Sequence, residues 1–279
     1  RLDYQLTAED TLQLSIGAVD TLRRAKNPDD SFDPFDPARQ VQASNYSAHL
    51  KWEHLTPDQQ QFTTQFSYVQ QNTHDKFSST FDSGISGIGD VITQLDYSQY
   101  YDRYDIEFEH QFQATDGLRV SWGLGSRNDR VRTPIWVSSN KKFDNSLQRL
   151  FSNVEWRPFE KVIVNFGALW EHNQVSGDDL SPRVAINYLA SNHHSFRASA
   201  SHATRVPVLT EENFNADLKL ESAAIPGLLL TLPAGRSTGG LDAETVDSYE
   251  LGYHGLFFRN SLTVDVKLFR NEYDTLIDT

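Results

Sequence analysis

Apolar and polar residues alternate along almost the whole chain, which is the two-residue period of a strand with two different faces. Leu2, Tyr4 and Leu6 alternate with Asp3, Gln5 and Thr7. Leu12, Leu14, Ile16 and Ala18 follow, interleaved with Thr11, Gln13, Ser15 and Gly17. The pattern returns at Tyr46–Trp52, Phe62–Tyr68, Tyr104–Phe108 and Leu118–Leu124. It continues through Val162–Trp170, Val184–Tyr188, Phe196–Ala200, Tyr249–Tyr253 and Leu262–Leu268. About twelve strands are predicted, and no stretch carries a convincing helical period.

The connections sort by length. Every second one is tight: Ala8–Asp10, Pro57–Gln60, Asp116-Gly117, Pro158–Glu160, Asn192–His194 and Arg259–Ser261. The alternate ones are mostly long: Lys26–Arg39, Thr80–Asp96, Ile135–Ser146 and Val208–Ala243, with a short one near Gly177–Leu180. Short turns at one end and long loops at the other are the mark of an antiparallel transmembrane β-barrel. A soluble sandwich or propeller has no reason to sort its loops by side. The fold class predicted is therefore all-β, a partial transmembrane barrel.

Composition changes this picture little but narrows the function. Mean hydropathy is −0.54 and no apolar run approaches the roughly 20 residues of a membrane-spanning helix, a test blind to barrel strands. A formal net charge of −13 argues against a nucleic-acid partner, whose phosphates want a basic face. With no Cys there is neither a disulfide framework nor a thiolate site. With no Met and Arg1 at the start, the expectation is a mature segment or an excised piece of barrel, residues 1–279, cut at both ends and lacking any plug domain. Trp52, Phe62, Phe112, Trp156, Phe159, Tyr188, Phe196 and Phe257 all fall near tight turns, where a membrane-interface girdle belongs. Packing in the core of a soluble β-domain is the plainer reading of the same rings, but the polar face carries too many charges for a dry interior.

Four segments resemble the barrel of TonB-dependent outer-membrane receptors. They are Ser181-Pro182-Arg183 with Val184–Tyr188; Thr204-Arg205-Val206-Pro207 with Glu211 after it; Leu241–Glu244 with Ser248–Tyr253; and Leu268–Ile277. The resemblance covers about Ser181–Thr279, and the first 180 residues match in architecture alone. It implies an outer membrane of the Gram-negative type, import of a ferric siderophore or similar chelate, and energy from TonB acting through a plug. It implies no cofactor and no enzymatic chemistry. Family members carry a plug and 22 strands, and this chain has neither. A passive porin or substrate-specific channel is the alternative reading, and a rim hydrolase is a third. The strand-borne His residues show no partner arrangement that would serve that third reading.

Candidate sites follow. The acidic loop carries Asp29, Asp30, Asp33 and Asp36, able in principle to hold Ca²⁺. A solvated acidic loop, bridged by divalent ions to lipopolysaccharide, explains the same residues. Phe32, Phe35, Phe81, Trp136 and Phe143 lie in or beside long loops, where they would either grip a ligand or pack loop on loop. Leu228–Leu232 suggests a small extra hairpin over the mouth. The resemblance places Glu250, Glu244 and Arg205, together with the motif residue Arg183, on the lumen or plug-facing side. Ordinary lumen polarity is the simpler account of these charges. Apart from the Ca²⁺ candidates, no metal site is expected, because no pair of His has ligand spacing.

Overall fold

A computed structural model describes residues 1–26 and 33–277 of the chain. Twelve strands form one antiparallel sheet: β1 (Leu2–Gln5), β2 (Asp10–Arg24), β3 (Gln40–Leu55), β4 (Gln61–His74), β7 (Gln99–Thr115), β8 (Leu118–Arg132), β9 (Phe143–Phe159), β10 (Val162–Asn173), β11 (Gly177–Ser191), β12 (His194–Arg205), β15 (Glu244–Phe257) and β16 (Leu262–Asp274). Each pairs with the next in that order, a continuous meander. All but β1 run 12 to 17 residues, more than the roughly 9–11 a tilted barrel strand needs to cross a bilayer. The sheet does not close: β1 and β16 are its two edges.

The register turns the period-two pattern into continuous rows. One row runs Leu12, Trp52, Thr64, Phe108, Leu124, Leu150, Trp170, Leu180 across eight strands. A lower one runs Phe112, Val120, Val154, Phe166, Val184, Ala200, Tyr249. These large apolar groups are open to the surroundings: Ile16 is 73 % exposed, Leu251 61 % and Phe166 47 %. An apolar face of that extent needs hydrocarbon rather than water against it. The opposite face is polar, with Gln13, Lys51, Gln65, Glu107, Gly125, Arg149 and Glu171 in one row.

Local chemistry explains the interruptions. Pro182 has no N–H to give, and it stands where β11 stops pairing with β12: that ladder begins at Arg183↔Ser201, while pairing with β10 continues to Gly177. At the tight-turn end several of the rings expected there pack against histidines. His110 stacks on Phe62 at 4.3 Å and on Phe112 at 4.8 Å. Trp122 Nε1 donates to His110 Nδ1 at 3.2 Å, so the His110 proton sits on Nε2, facing Gln60 Oε1 at 2.9 Å.

The long-loop end departs from expectation. Loops 75–98 and 206–243 are not irregular: they carry β5 (Lys76–Asp82), β6 (Asp90–Asp96), β13 (Asn215–Ser222) and β14 (Leu229–Arg236). These form a second antiparallel sheet in the order β14-β13-β6-β5, joined at the β13–β6 seam through Leu220↔Thr93, Glu221↔Ile92 and Ser222↔Val91. The expected hairpin around Leu228–Leu232 is the β13–β14 pair. Two short helices, α1 (Pro134–Val137) and α2 (Leu209–Asn213), complete this cap. The tightest burial in the molecule is here, with Val91 at 0 % and Thr93 at 1 % exposure, alongside Leu95, Leu220, Ala216 and Val137. Pro233 is tolerated in β14 because that strand is the sheet's edge.

Candidate functional site

The inner wall is an ion-pair lattice over β7–β9. Arg149 reaches from β9 across β8 to Glu107 at 2.7 Å and Asp105 at 2.8 Å, and Arg127 joins Asp105 at 2.8 Å. Gly125 makes the reach possible, because a Cβ there would stand 2.6 Å from Arg149 Nε. Nearer the mouth, Arg103 binds Asp129 at 2.6 Å, and the Tyr101 hydroxyl donates to the same carboxylate at 2.9 Å. Two arginines against two carboxylates leave the first cluster neutral. Individual sequence segments hid this group, because its members come from three strands and meet only through register.

The motif residues near the end of the chain meet at the base of the longest loop. Arg205 closes β12, and its guanidinium pairs with Glu244, the first residue of β15, and with Glu211 at 3.2 Å. Glu211 also accepts from the Val208 N–H at 2.9 Å, which caps α2. Glu244 accepts in turn from the Ile277 N–H at 2.8 Å. Arg205 and Glu244 therefore hold each other. Glu250 faces the same side, 3.7 Å from Arg197, and its Oε1 is buried without a hydrogen-bond partner. Arg183 shares that face, through the Arg183↔Ser201 and Ser201↔Ser248 pairs, and makes no ion pair among the described residues.

Of the loop aromatics, Phe81 and Trp136 lie in the cap, Phe35 lies in the connection before β3, and Phe143 opens β9. Phe35 packs edge-on against Phe81 at 5.3 Å, and Trp136 of α1 packs on Phe214 at 5.6 Å. Lys141 Nζ lies 5.3 Å over the Phe143 ring. Of the acidic loop, Asp29 and Asp30, like Phe32, lie outside the described residues. Asp33 accepts from the Phe35 N–H at 2.9 Å, and Asp36 binds Arg39 at 2.6 Å. Arg39 also makes a two-point contact with Asp75, and that hydrogen bonding, above all, holds its guanidinium proton more tightly than usual. Among the described residues no cluster of three or more metal-ligating side chains occurs.

Between wall and cap lies a cavity of about 500 Å³, lined by Gln71, Gln99, Tyr101, Trp136 and Phe214 among others. Thr133, 2 % exposed, also lines it, and its hydroxyl is buried without a hydrogen-bond partner. An apolar furrow of similar size, where Ala198 and Ala200 leave room between Ile186 and Leu251, opens on the outer, apolar face.

Comparison with known proteins agrees with this architecture. The family described as "TonB dependent receptor-like, beta-barrel" matches residues 2–279. A ferric enterobactin receptor of Pseudomonas aeruginosa is 24% identical over 148 residues, 51% of this chain and 19% of that protein. Among solved structures, a mutant of the ferric enterobactin receptor PfeA from Pseudomonas aeruginosa superposes with a TM-score of 0.73 at 14% identity, covering 97% of this chain and 41% of that one. The siderophore receptor PirA from Acinetobacter baumannii gives 0.71 at 15% identity, over 97% of this chain and 42% of that one. The ferric yersiniabactin uptake receptor FyuA from Yersinia pestis gives 0.60 at 14% identity, over 95% and 43%. The chain thus spans less than half the length of these three solved structures.

Proposed function

Because this chain belongs to the TonB-dependent receptor β-barrel family, we propose that it is part of the wall and cap of an outer-membrane receptor that imports a ferric siderophore. TonB supplies the energy, acting through a plug domain. The observation that carries this reading is the pairing of a twelve-strand meander with a packed cap at its long-loop end. A passive pore has no need of ordered structure over its mouth. Relatives named as ferric enterobactin and siderophore receptors support the same cargo class.

Roles follow from position. The exposed apolar rows face outer-membrane lipid and lipopolysaccharide. Arg205 and Glu244 tie down the longest loop, and Glu250, beside Arg197, and Arg183 are inner-wall charges available to the plug. Phe35, Phe81, Trp136 and Phe143 belong to the surface that captures ligand. The barrel performs no covalent chemistry. A strain lacking the gene, starved of iron and supplied with single ferric siderophores, tests the function. Loss of growth on at least one chelate, restored by the gene, is expected; equal growth on every chelate would overturn it.

A further inference from the structure

On the outer face, at the mouth end of β7 and β8, a recess of about 310 Å³ gathers cations. Arg130, Arg132 and Lys142 line it, with Tyr100, Gln70 and Asp102. Register puts it outside: Tyr100 pairs with Arg132, and the two keep the phase of Ile106 and Leu124 lower on the same strands, both about half exposed. Just below the recess the Tyr68 and Tyr104 rings meet, 4.9 Å between centroids. Rings in such a position mark where hydrocarbon gives way to headgroups.

The cations are held in place yet largely unmatched. The Arg132 guanidinium carbon stands 4.0 Å from the centre of the Tyr100 ring, which fixes it. Its Nε is enclosed without a partner, while its two terminal nitrogens, not enclosed, donate to nothing among the described residues. Lys142 is exposed and pairs with no carboxylate among them. Arg130 does pair, its Nε 2.7 Å from Asp144, but both are about half exposed, where an ion pair is weak and readily exchanged. Asp102 accepts from the Gln70 amide at 2.9 Å and joins none of the three. Three cations against one carboxylate leave the lining positive, in a chain of formal net charge −13. Elsewhere in the same outer band carboxylates have partners: Asp178 meets His172, Asp247 meets His202 and Glu272 meets Arg270.

We propose that this recess binds a phosphate group on the headgroup of an outer-leaflet lipid. A tetrahedral phosphate offers several charged oxygens, enough for two forked guanidinium groups and the Lys142 ammonium together. The lipid source follows from the place. The recess opens on the apolar side of the sheet, directly above the exposed rows, so a molecule anchored there lays its chains along the surface of Tyr104, Ile106 and Leu124. A free anion has no use for that surface. The inference rests on the outer-membrane placement in the proposed function and is independent of the cargo.

The test is native mass spectrometry of the full-length receptor in neutral detergent, titrated with bis-phosphorylated lipid A and with its dephosphorylated form. The phosphorylated lipid should bind about tenfold more tightly, and millimolar inorganic phosphate should not displace it. Lys142→Gln and Arg132→Gln should each weaken it several-fold. Arg270→Gln, which removes a cation of the same face that has its own carboxylate, should leave it unchanged. Lys142 is exposed, so its variant reports on binding even where loss of Arg132 from Tyr100 disturbs the fold. Equal affinity for the two lipids, no effect of Lys142→Gln and Arg132→Gln, or equal weakening by all three variants would overturn the site. Displacement by inorganic phosphate would overturn the lipid assignment and leave a site for soluble anions. None of these results touches iron uptake, whereas a receptor that binds neither lipid and stays dispersed without detergent would overturn the outer-membrane reading as well.

Discussion

At the scale of single residues, the inner wall depends on what is missing at position 125. Arg149 lies across the bare backbone of Gly125 to reach Glu107 and Asp105, so any larger side chain there must displace the guanidinium. Gly125→Val should cost about 1.5–3 kcal/mol, the scale of losing charge-assisted hydrogen bonds in a half-buried site. Urea unfolding of the lipid-reconstituted receptor measures it, and Arg149→Met should show much the same loss. The double variant should then be barely worse than either single one. Another residue-scale expectation concerns pH. The Thr56 hydroxyl, and then the Gln60 amide, hold Asp58 below the ordinary carboxylate range in the turn after β3. A carboxyl whose folded pKa is depressed stabilises above its unfolded value, about 3.9, and that contribution vanishes as pH falls through the folded value. Asp58→Asn should therefore flatten the acid limb of the turn's stability, as followed by amide exchange at Gln60.

At the scale of elements, the sequence reading and the structure part company at the loops. Eleven of the twelve wall strands were legible because each keeps a two-residue period, while β9 was marked only by the connections on either side of it, and the tight turns fall on polar or glycine-containing stretches. The β5–β6 hairpin was not: Phe77, Phe81, Val91 and Leu95 alternate over only seven residues per strand, and nothing local shows that β6 pairs with β13, some 125 positions later. The ion pairs were invisible for the same reason, since Asp105, Arg127 and Arg149 sit in separate segments and converge through register alone. Arg205, Glu211 and Glu244 were singled out by motif, and the structure gives them a mechanical part at the root of the 206–243 loop. Arg205→Ala should loosen that loop and α2 while leaving the wall intact. Faster hydrogen exchange confined to 206–243 is the expected readout, and a uniform rise across β12 and β15 would speak against a local strap.

At the scale of the whole molecule, two faces of one sheet meet two different solvents. The outer rows carry large apolar groups in the open, and the inner rows carry charges, of which Arg149, Arg127, Asp105 and Glu107 pair with one another. Placing Arg at Leu124, on the long outer row, should cost about 2–4 kcal/mol in a bilayer. Thr63→Arg, on the inner face opposite Glu53 and Glu109, should cost little. The cap then sits over the end where the long loops gather, and it has a buried core of its own, with Val91, Thr93, Leu95 and Leu220. That distribution suits a wall held by the membrane and a mouth that must be shaped without it. The central claim, energised uptake of a ferric chelate, is tested most directly by radioiron accumulation in cells expressing the full receptor, before and after the proton gradient is collapsed. The account predicts accumulation that requires the gene and stops when the gradient is lost. Accumulation that continues unchanged without the gradient would mean a passive channel and would contradict it.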